Sequence, residues 1–133
     1  MRYLLDTNAV IALLKSATSP IARHIRQHDP REIVLSSIIT HELYFGAFKS
    51  QFPDANRARL DAMRFEVLPF DKEDSIVAGR IRAVLQAAGT PIGPFDLLIA
   101  GQALCRGLTL VTANTREFVR VDGLAVEDWS AAV

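Results

Sequence analysis

Short, continuous apolar runs alternate along this chain with longer stretches whose apolar residues recur every three or four positions. Residues 2–5 read as a short buried strand that stops abruptly at Asp6. Thr7-Asn8 then offers capping groups for a helix through Ala9-Val10-Ile11-Ala12-Leu13-Leu14. A second helix is predicted after Ser19-Pro20, with Ile21, Ala22 and Ile25 on its apolar face. Ile33-Val34-Leu35 lacks polar alternation, as a parallel strand covered on both faces requires. Ser36-Ser37 opens a helix carrying Ile38, Ile39, Glu42, Leu43, Gly46 and Ala47 on one side. Pro53-Asp54 reopens helix to about Met63, and Glu66-Val67-Leu68 reads as another strand. Asp71 or Lys72 begins a helix with apolar Ile76, Val77, Ile81, Val84 and Leu85, which stops near Gly89. Beyond a Pro- and Gly-rich loop, a helix is predicted from about Phe95 to Arg106, capped by Gly107. Residues 108–111 and 125–127 complete the strands. Strands alternating with helices predict a mainly parallel sheet with helices on both faces, and no repeat or linker divides it.

Composition narrows the functional classes. Half of the 133 residues are hydrophobic, which excludes a disordered chain, yet no apolar run approaches the roughly 20 residues of a membrane span. Asp6 interrupts the N-terminal apolar run too early for a secretory signal, and a cytoplasmic location without membrane attachment is expected. A single cysteine, Cys105, allows no intrachain disulfide, and no Cys/His pattern suggests structural zinc. Fifteen basic residues balance fifteen acidic ones, so no net basic field announces nucleic-acid binding. Any such function must come from a local site.

Three acids stand out by position. Asp6 ends a buried strand, where open parallel sheets bind ligands, although capping of the following helix explains an Asp there equally well. Glu42 has Ile38, Ile39, Phe45 and Gly46 as its helical neighbours, so partial desolvation is expected unless a cation compensates it. Asp96 falls in the first turn of a helix begun by Pro94, where the helix dipole should lower its pKa and keep it ionised. Three separated acids converging at one end of a sheet would repel one another without a hard cation such as Mg2+ or Mn2+.

The motifs occur in a familiar order. Leu4-Leu5-Asp6-Thr7-Asn8, Thr40-His41-Glu42-Leu43 with Gly46, Pro91-Ile92-Gly93-Pro94-Phe95-Asp96 with Ile99-Ala100, and Leu110-Val111-Thr112-Ala113-Asn114 together resemble a PIN-domain ribonuclease of the VapC toxin branch. The tail Arg116-Glu117-Phe118, Gly123-Leu124 and Asp128-Trp129 extends the resemblance over nearly the whole chain. It implies a three-layer α/β/α PIN-like domain over residues 1–133, with Asp6, Glu42 and Asp96 as catalytic acids coordinating Mg2+, or Mn2+ in its place. It further implies hydrolysis of RNA phosphodiesters to 5′-phosphate and 3′-hydroxyl ends, with tRNA a candidate substrate. A homodimer and a cognate VapB-like antitoxin that blocks the active site are the implied partners.

One position departs from that pattern. Many PIN nucleases carry a fourth acid where this chain has Asn114, an amide that can orient water but adds no charge. Glu117, three residues on, could replace it or be an exposed loop acid, and the second reading is the expectation. Thr112, at a strand end, could hydrogen-bond the cluster or simply favour the strand.

Other features carry less. Phe45 stands where a zinc-protease motif beginning His41-Glu42 needs its second His. His24 and His28 are expected to be solvated, and Cys105 to be core. Arg57, Arg59, Arg64, Arg80, Arg82 and Arg116 could each grip an RNA phosphate or sit on a solvated face. Tyr44, Phe48 and Phe52 suit a core or a dimer and antitoxin surface better than base stacking. A receiver domain would need paired acids after the first strand and a late Lys, but Thr7-Asn8 follows Asp6 and no Lys lies beyond Lys72. An Asp-x-Asp phosphatase fails because Asn8 takes the second acid's place. The non-enzymatic rival is a PIN-like domain kept for binding, a reading that Asn114 leaves open.

Overall fold

A strand buried on both faces can spare no polar side chain, and the apolar runs of this sequence meet that condition at the centre of one sheet. The computed structural model describes residues Met1–Ser130, so the last three residues of the expected 1–133 domain lie outside it. Its strands are β1 (Tyr3–Leu5), β2 (Ile33–Ser36), β3 (Glu66–Leu68), β4 (Thr109–Val111) and β5 (Val126–Glu127). They pair in the order β3-β2-β1-β4-β5, and every neighbouring pair is parallel. Leu4, Leu5, Ile33 and Val34 have no solvent exposure, which places the core along β1 and β2.

Parallel strands need crossover connections, and the helical periods supply them. The helices are α1 (Thr7–Lys15), α2 (Pro20–Arg26), α3 (Ser37–Phe48), α4 (Pro53–Asp61), α5 (Lys72–Ala87), α6 (Pro94–Arg106) and the short α7 (Thr115–Phe118). They flank the sheet in the three-layer α/β/α arrangement that the sequence predicted. Asp71 begins α5 with a reciprocal capping box to Asp74, and Gly107 ends α6 as expected. α5 and α6 approach so closely that a Cβ on Gly101 would lie 2.6 Å from the Ala78 Cβ, so this crossing requires glycine.

Four details differ from the sequence reading. The 3-10 turn at Pro30–Glu32 and the four residues of α7 are too short to show a helical period. Cys105 is exposed, because the α6 face that packs on α5 and the sheet is the one carrying Ile99, Ala100 and Ala103. Phe45 is 60% exposed, so the apolar side of α3 turns away from it at that point. His24 and His28 are half-buried rather than solvated: both rings stack on Trp129, at centroid distances of 5.4 and 5.0 Å. Trp129 also meets Tyr3 edge-on at 4.9 Å and so pins the C-terminal segment to β1 and α2.

Candidate metal centre

Register alone brings several polar groups to one edge of the sheet. Leu5 pairs with Val111 and Val111 with Glu127, so the next residues, Asp6, Thr112 and Asp128, follow the carboxyl ends of three adjacent strands at one level. Asp6 is the N-cap of α1: its Oδ1 accepts the Ala9 amide at 2.8 Å, and the carboxyl is only 6% exposed. The capping role that the sequence offered is therefore present, and it leaves the carboxyl within reach of the charges of Glu42 and Asp128. Burial raises the Asp6 pKa, hydrogen bonds from Thr112 and the Ala9 amide oppose this, and the charges of Glu42 and Asp128 add to the rise.

Glu42 arrives from α3, half-buried, and its Oε1 accepts the Thr7 hydroxyl at 3.0 Å. That bond ties the first turn of α1 to the middle of α3, across 35 residues of chain. Asp96 enters from the first turn of α6, which has no side-chain cap of its own at Gly93. Glu117 anchors that N-cap residue from outside the helix, taking the Gly93 backbone amide on Oε1 at 2.8 Å and the Asn114 side-chain amide on Oε2 at 2.6 Å. A Cβ on Gly93 would sit 3.2 Å from Asp96 Oδ2 and 3.8 Å from Glu117 Oε1, so the loop packs directly on both carboxylates.

Asp96 shows the consequence of this crowding. Its pKa rises to about 6, first through burial and then through the charges of Glu117, Glu42 and Asp6, with a hydrogen bond to Glu117 acting the same way. The sequence expectation was the reverse, a carboxyl lowered by the helix dipole. A dipole effect within one turn is smaller than desolvation plus three neighbouring anions.

Glu117 also departs from expectation. It is half-buried on α7, hydrogen-bonded twice, and close enough to Asp96 to raise its pKa. Asn114 holds it rather than replacing it. The signal was present as Asn114 and Glu117 spaced for one helical turn, an N-cap-like pattern in a segment too short to show a period. Thr112 lies beside this cluster: its hydroxyl accepts the Asn114 backbone amide at 2.9 Å and lowers the pKa of Asp6. Asp128 was missed as a member of this edge, although it follows β5 just as Asp6 follows β1. His41 and Phe95 meet at 5.7 Å, linking α3 to the start of α6 beside the acids.

The donor set fits a hard divalent cation. No ion pair among the described residues involves Asp6, Glu42, Asp96 or Glu117, so their mutual repulsion has no internal counter-charge. All the donors are oxygen, the preference of Mg2+ and Mn2+. No three acidic, histidine or cysteine side chains among the described residues stand close enough to chelate an ion unaided. Mg2+ suits such an arrangement, because it keeps several waters and needs one or two direct carboxylates.

Comparison with known proteins extends this picture. The PIN domain family matches residues 3–124. The chain is 42% identical over 132 residues to the tRNA(fMet)-specific endonuclease VapC of Shigella flexneri, covering 98% of this chain and 99% of that protein. It is 38% identical to Ribonuclease VapC of Haemophilus influenzae, covering 97% and 98%. Among solved structures, the DNA-bound VapBC complex from Salmonella typhimurium contains a chain that superposes with a TM-score of 0.92 at 41% identity, covering 97% of this chain and 98% of that one.

Proposed function

The chain belongs to the PIN-domain family and, within it, to the VapC ribonucleases, and on that premise we propose that it is a Mg2+- or Mn2+-dependent toxin endoribonuclease acting through Asp6, Glu42 and Asp96. The observation that supports the site assignment is the convergence of Asp6 at the end of β1, Glu42 tied to Thr7 on α1, and Asp96 and Glu117 packed on Gly93, without a cationic partner among the described residues. Such a cluster is costly for folding alone and useful for holding a metal against a phosphate.

Asp6, Asp96 and Glu42 are the residues that would hold the ion, and Glu117 is the fourth acid beside them. When bound, the ion supplies Lewis acidity toward the phosphate oxygens and makes water a stronger acid. The protein's part is positioning. The Ala9 amide and Thr112 fix Asp6, and Thr7 fixes Glu42 Oε1. Glu42 Oε2 has no hydrogen-bond partner among the described residues and is the oxygen that orients the attacking water and takes its proton. Asn114 and the Gly93 amide hold both oxygens of Glu117, which keeps that acid beside Asp96.

A transfer RNA substrate is supported by the printed activity of the Shigella relative, and a VapB-like antitoxin by the VapBC complexes among the structural relatives. A homodimer is supported by Ile76 and Val84, 55% and 59% exposed two helical turns apart on α5. No helix among the described residues is long and apolar enough to cross a membrane, in keeping with action in the cytoplasm. Purified, antitoxin-free protein should cleave cellular RNA with Mg2+ or Mn2+, and Asp6→Asn should not. Equal cleavage by the two, or cleavage that persists in excess EDTA, overturns the metal–acid mechanism.

A further inference from the structure

Where α3 passes the start of α6, two pairs of side chains meet at neighbouring positions. Glu42 and Asp96 form one pair, near enough for the charge of Glu42 to act on Asp96. His41 and Phe95, the residues just before them, form the other: their ring centroids lie 5.7 Å apart and their planes are inclined at 56°. Both rings are exposed, Phe95 by 43%. Their mounts are firm. Ile39 and Leu43 are buried beneath α3, Leu97 and Ile99 beneath α6, and Glu117 holds Gly93 at the turn that delivers Phe95. Every other aromatic pair among the described residues belongs to the cluster around Trp129. The exposed rings of Phe45 and Phe48 are of a different kind, since Lys49 Nζ lies 5.0 Å above the first and Arg57 Cζ 5.8 Å above the second.

Single exposed apolar residues are ordinary on protein surfaces, but two rings from two helices, each one residue from an acid of the site, make a surface of definite chemistry. A nucleobase pulled out of its stack needs a flat apolar face to replace its lost neighbours. Resting on the ribonuclease reading above, we propose that Phe95 and His41 form a stacking corner for one unpaired nucleobase adjoining the cleaved phosphodiester. With the two planes inclined at 56°, a base lying flat on Phe95 meets His41 edge-on, an arrangement that aromatic quadrupoles favour. Continuity of the strand favours RNA as the occupant: a phosphate held at Glu42 and Asp96 carries a nucleoside on each side, and both rings stand next to those acids in the chain. Every base has a π face, so the corner positions the strand without dictating its sequence. It acts on unpaired RNA rather than on a duplex, whose bases are already stacked.

The test separates a ring face from mere bulk. Phe95→Leu keeps apolar volume and Phe95→Tyr keeps the ring, while His41→Ala removes the second ring and His41→Phe keeps it without its nitrogens. Each variant should be compared with the parent on a single-stranded RNA oligomer that the parent cuts, in Mg2+, with a melting curve and an oligomeric state for each protein. Phe95→Leu should lower kcat/KM by about 10-fold, mainly through KM, and Phe95→Tyr by about twofold or less. His41→Ala should lose several-fold, and His41→Phe should recover most of that loss. In the Asp6→Asn background, 2-aminopurine placed beside the cut should be quenched when the RNA binds, as followed by anisotropy, and Phe95→Leu should remove the quench. Cleavage within about twofold of the parent in Phe95→Leu and His41→Ala, in proteins that melt like it, overturns the corner while leaving the ribonuclease reading intact. A bound probe that stays unquenched on both sides of the cut does the same. A loss in His41→Phe as deep as in His41→Ala also overturns it, because a ring without nitrogens stacks equally well. Phe95→Leu that changes the oligomeric state, or that loses antitoxin binding with cleavage unchanged, overturns it and assigns the rings to a protein contact. A parent that cleaves no RNA with either metal removes both readings.

Discussion

At the C-terminal end of α6, Arg106 Nη2 reaches Asp74 Oδ2 at 3.0 Å and Asp71 Oδ2 at 3.3 Å, whereas at the N-terminal end of the same helix Asp96 meets Glu117, Glu42 and Asp6. Asp74 is completely buried. Burial raises its pKa, but the Arg106 hydrogen bonds and charge and the Asp71 amide outweigh that and bring it below the ordinary value. Gln102 Nε2 also points at Asp74 Oδ2, at 3.4 Å, so the carboxylate is satisfied from three directions. Asp96 is only half-buried, yet its pKa climbs to about 6 because its neighbours are acids. Burial therefore does not set the direction of the shift at these two carboxylates; the sign of the neighbouring charge does.

That contrast can be broken most sharply at Asp96. Asp96→Asn should lower metal-dependent RNA cleavage by roughly 10²-fold or more, because the amide brings no charge to the set proposed to hold the ion and its charge stabilisation is worth several kcal/mol. The same variant should melt no lower than the parent without metal, because it removes a charge that the fold does not compensate. Paired cleavage assays and melting curves check both halves. At the opposite end, Arg106→Met should cost about 3 kcal/mol of stability by leaving the Asp74 charge buried and unpaired. Urea unfolding reads this, and Asp74→Asn combined with Arg106→Met should lose less than the sum of the single changes.

The two ends should also titrate in opposite directions. Asp74 has a folded-state pKa below 3.8, so its contribution is full above pH 3.8 and is lost as pH falls through the lower folded value. Asp96 has a folded-state pKa of about 6, so the native state holds its proton more tightly than the unfolded chain. Metal-free stability should therefore fall as pH rises from about 3.8 to 6 on account of Asp96. The melting advantage of Asp96→Asn should be absent below about pH 3 and complete above about pH 7, roughly one unit beyond those limits. An advantage that does not vary with pH would break the comparison. The smallest effect is expected at Asn114→Ala, which frees one oxygen of Glu117 from its 2.6 Å hydrogen bond. Cleavage should fall several-fold, with stability changed by about 1 kcal/mol or less.

Some of this was legible before folding. The apolar runs at residues 3–5 and 33–35 mark the central strands, because a strand covered on both faces is apolar at consecutive positions. Capping residues Asp6, Ser19 and Asp71 mark helix starts, since they act within three residues of themselves. Glu117 could not be placed in the same way. Its partner Gly93 lies 24 residues away, and α7 is shorter than two helical turns. The Trp129 stack on His24 and His28 joins the two ends of the chain, which no local pattern encodes.

By itself, then, the sequence determined the order of strands and helices, the strand-end position of Asp6 and the first-turn position of Asp96. Those follow from periodicity and capping, which are properties of neighbouring residues. Tertiary structure alone decided that Glu117 anchors Gly93 at the start of α6, that Asp128 shares an edge with Asp6, and that Asp74 is paired while Asp96 is not. Coulomb energy and desolvation depend on distance and burial, and for these residues both are set by contacts across more than 20 positions of chain.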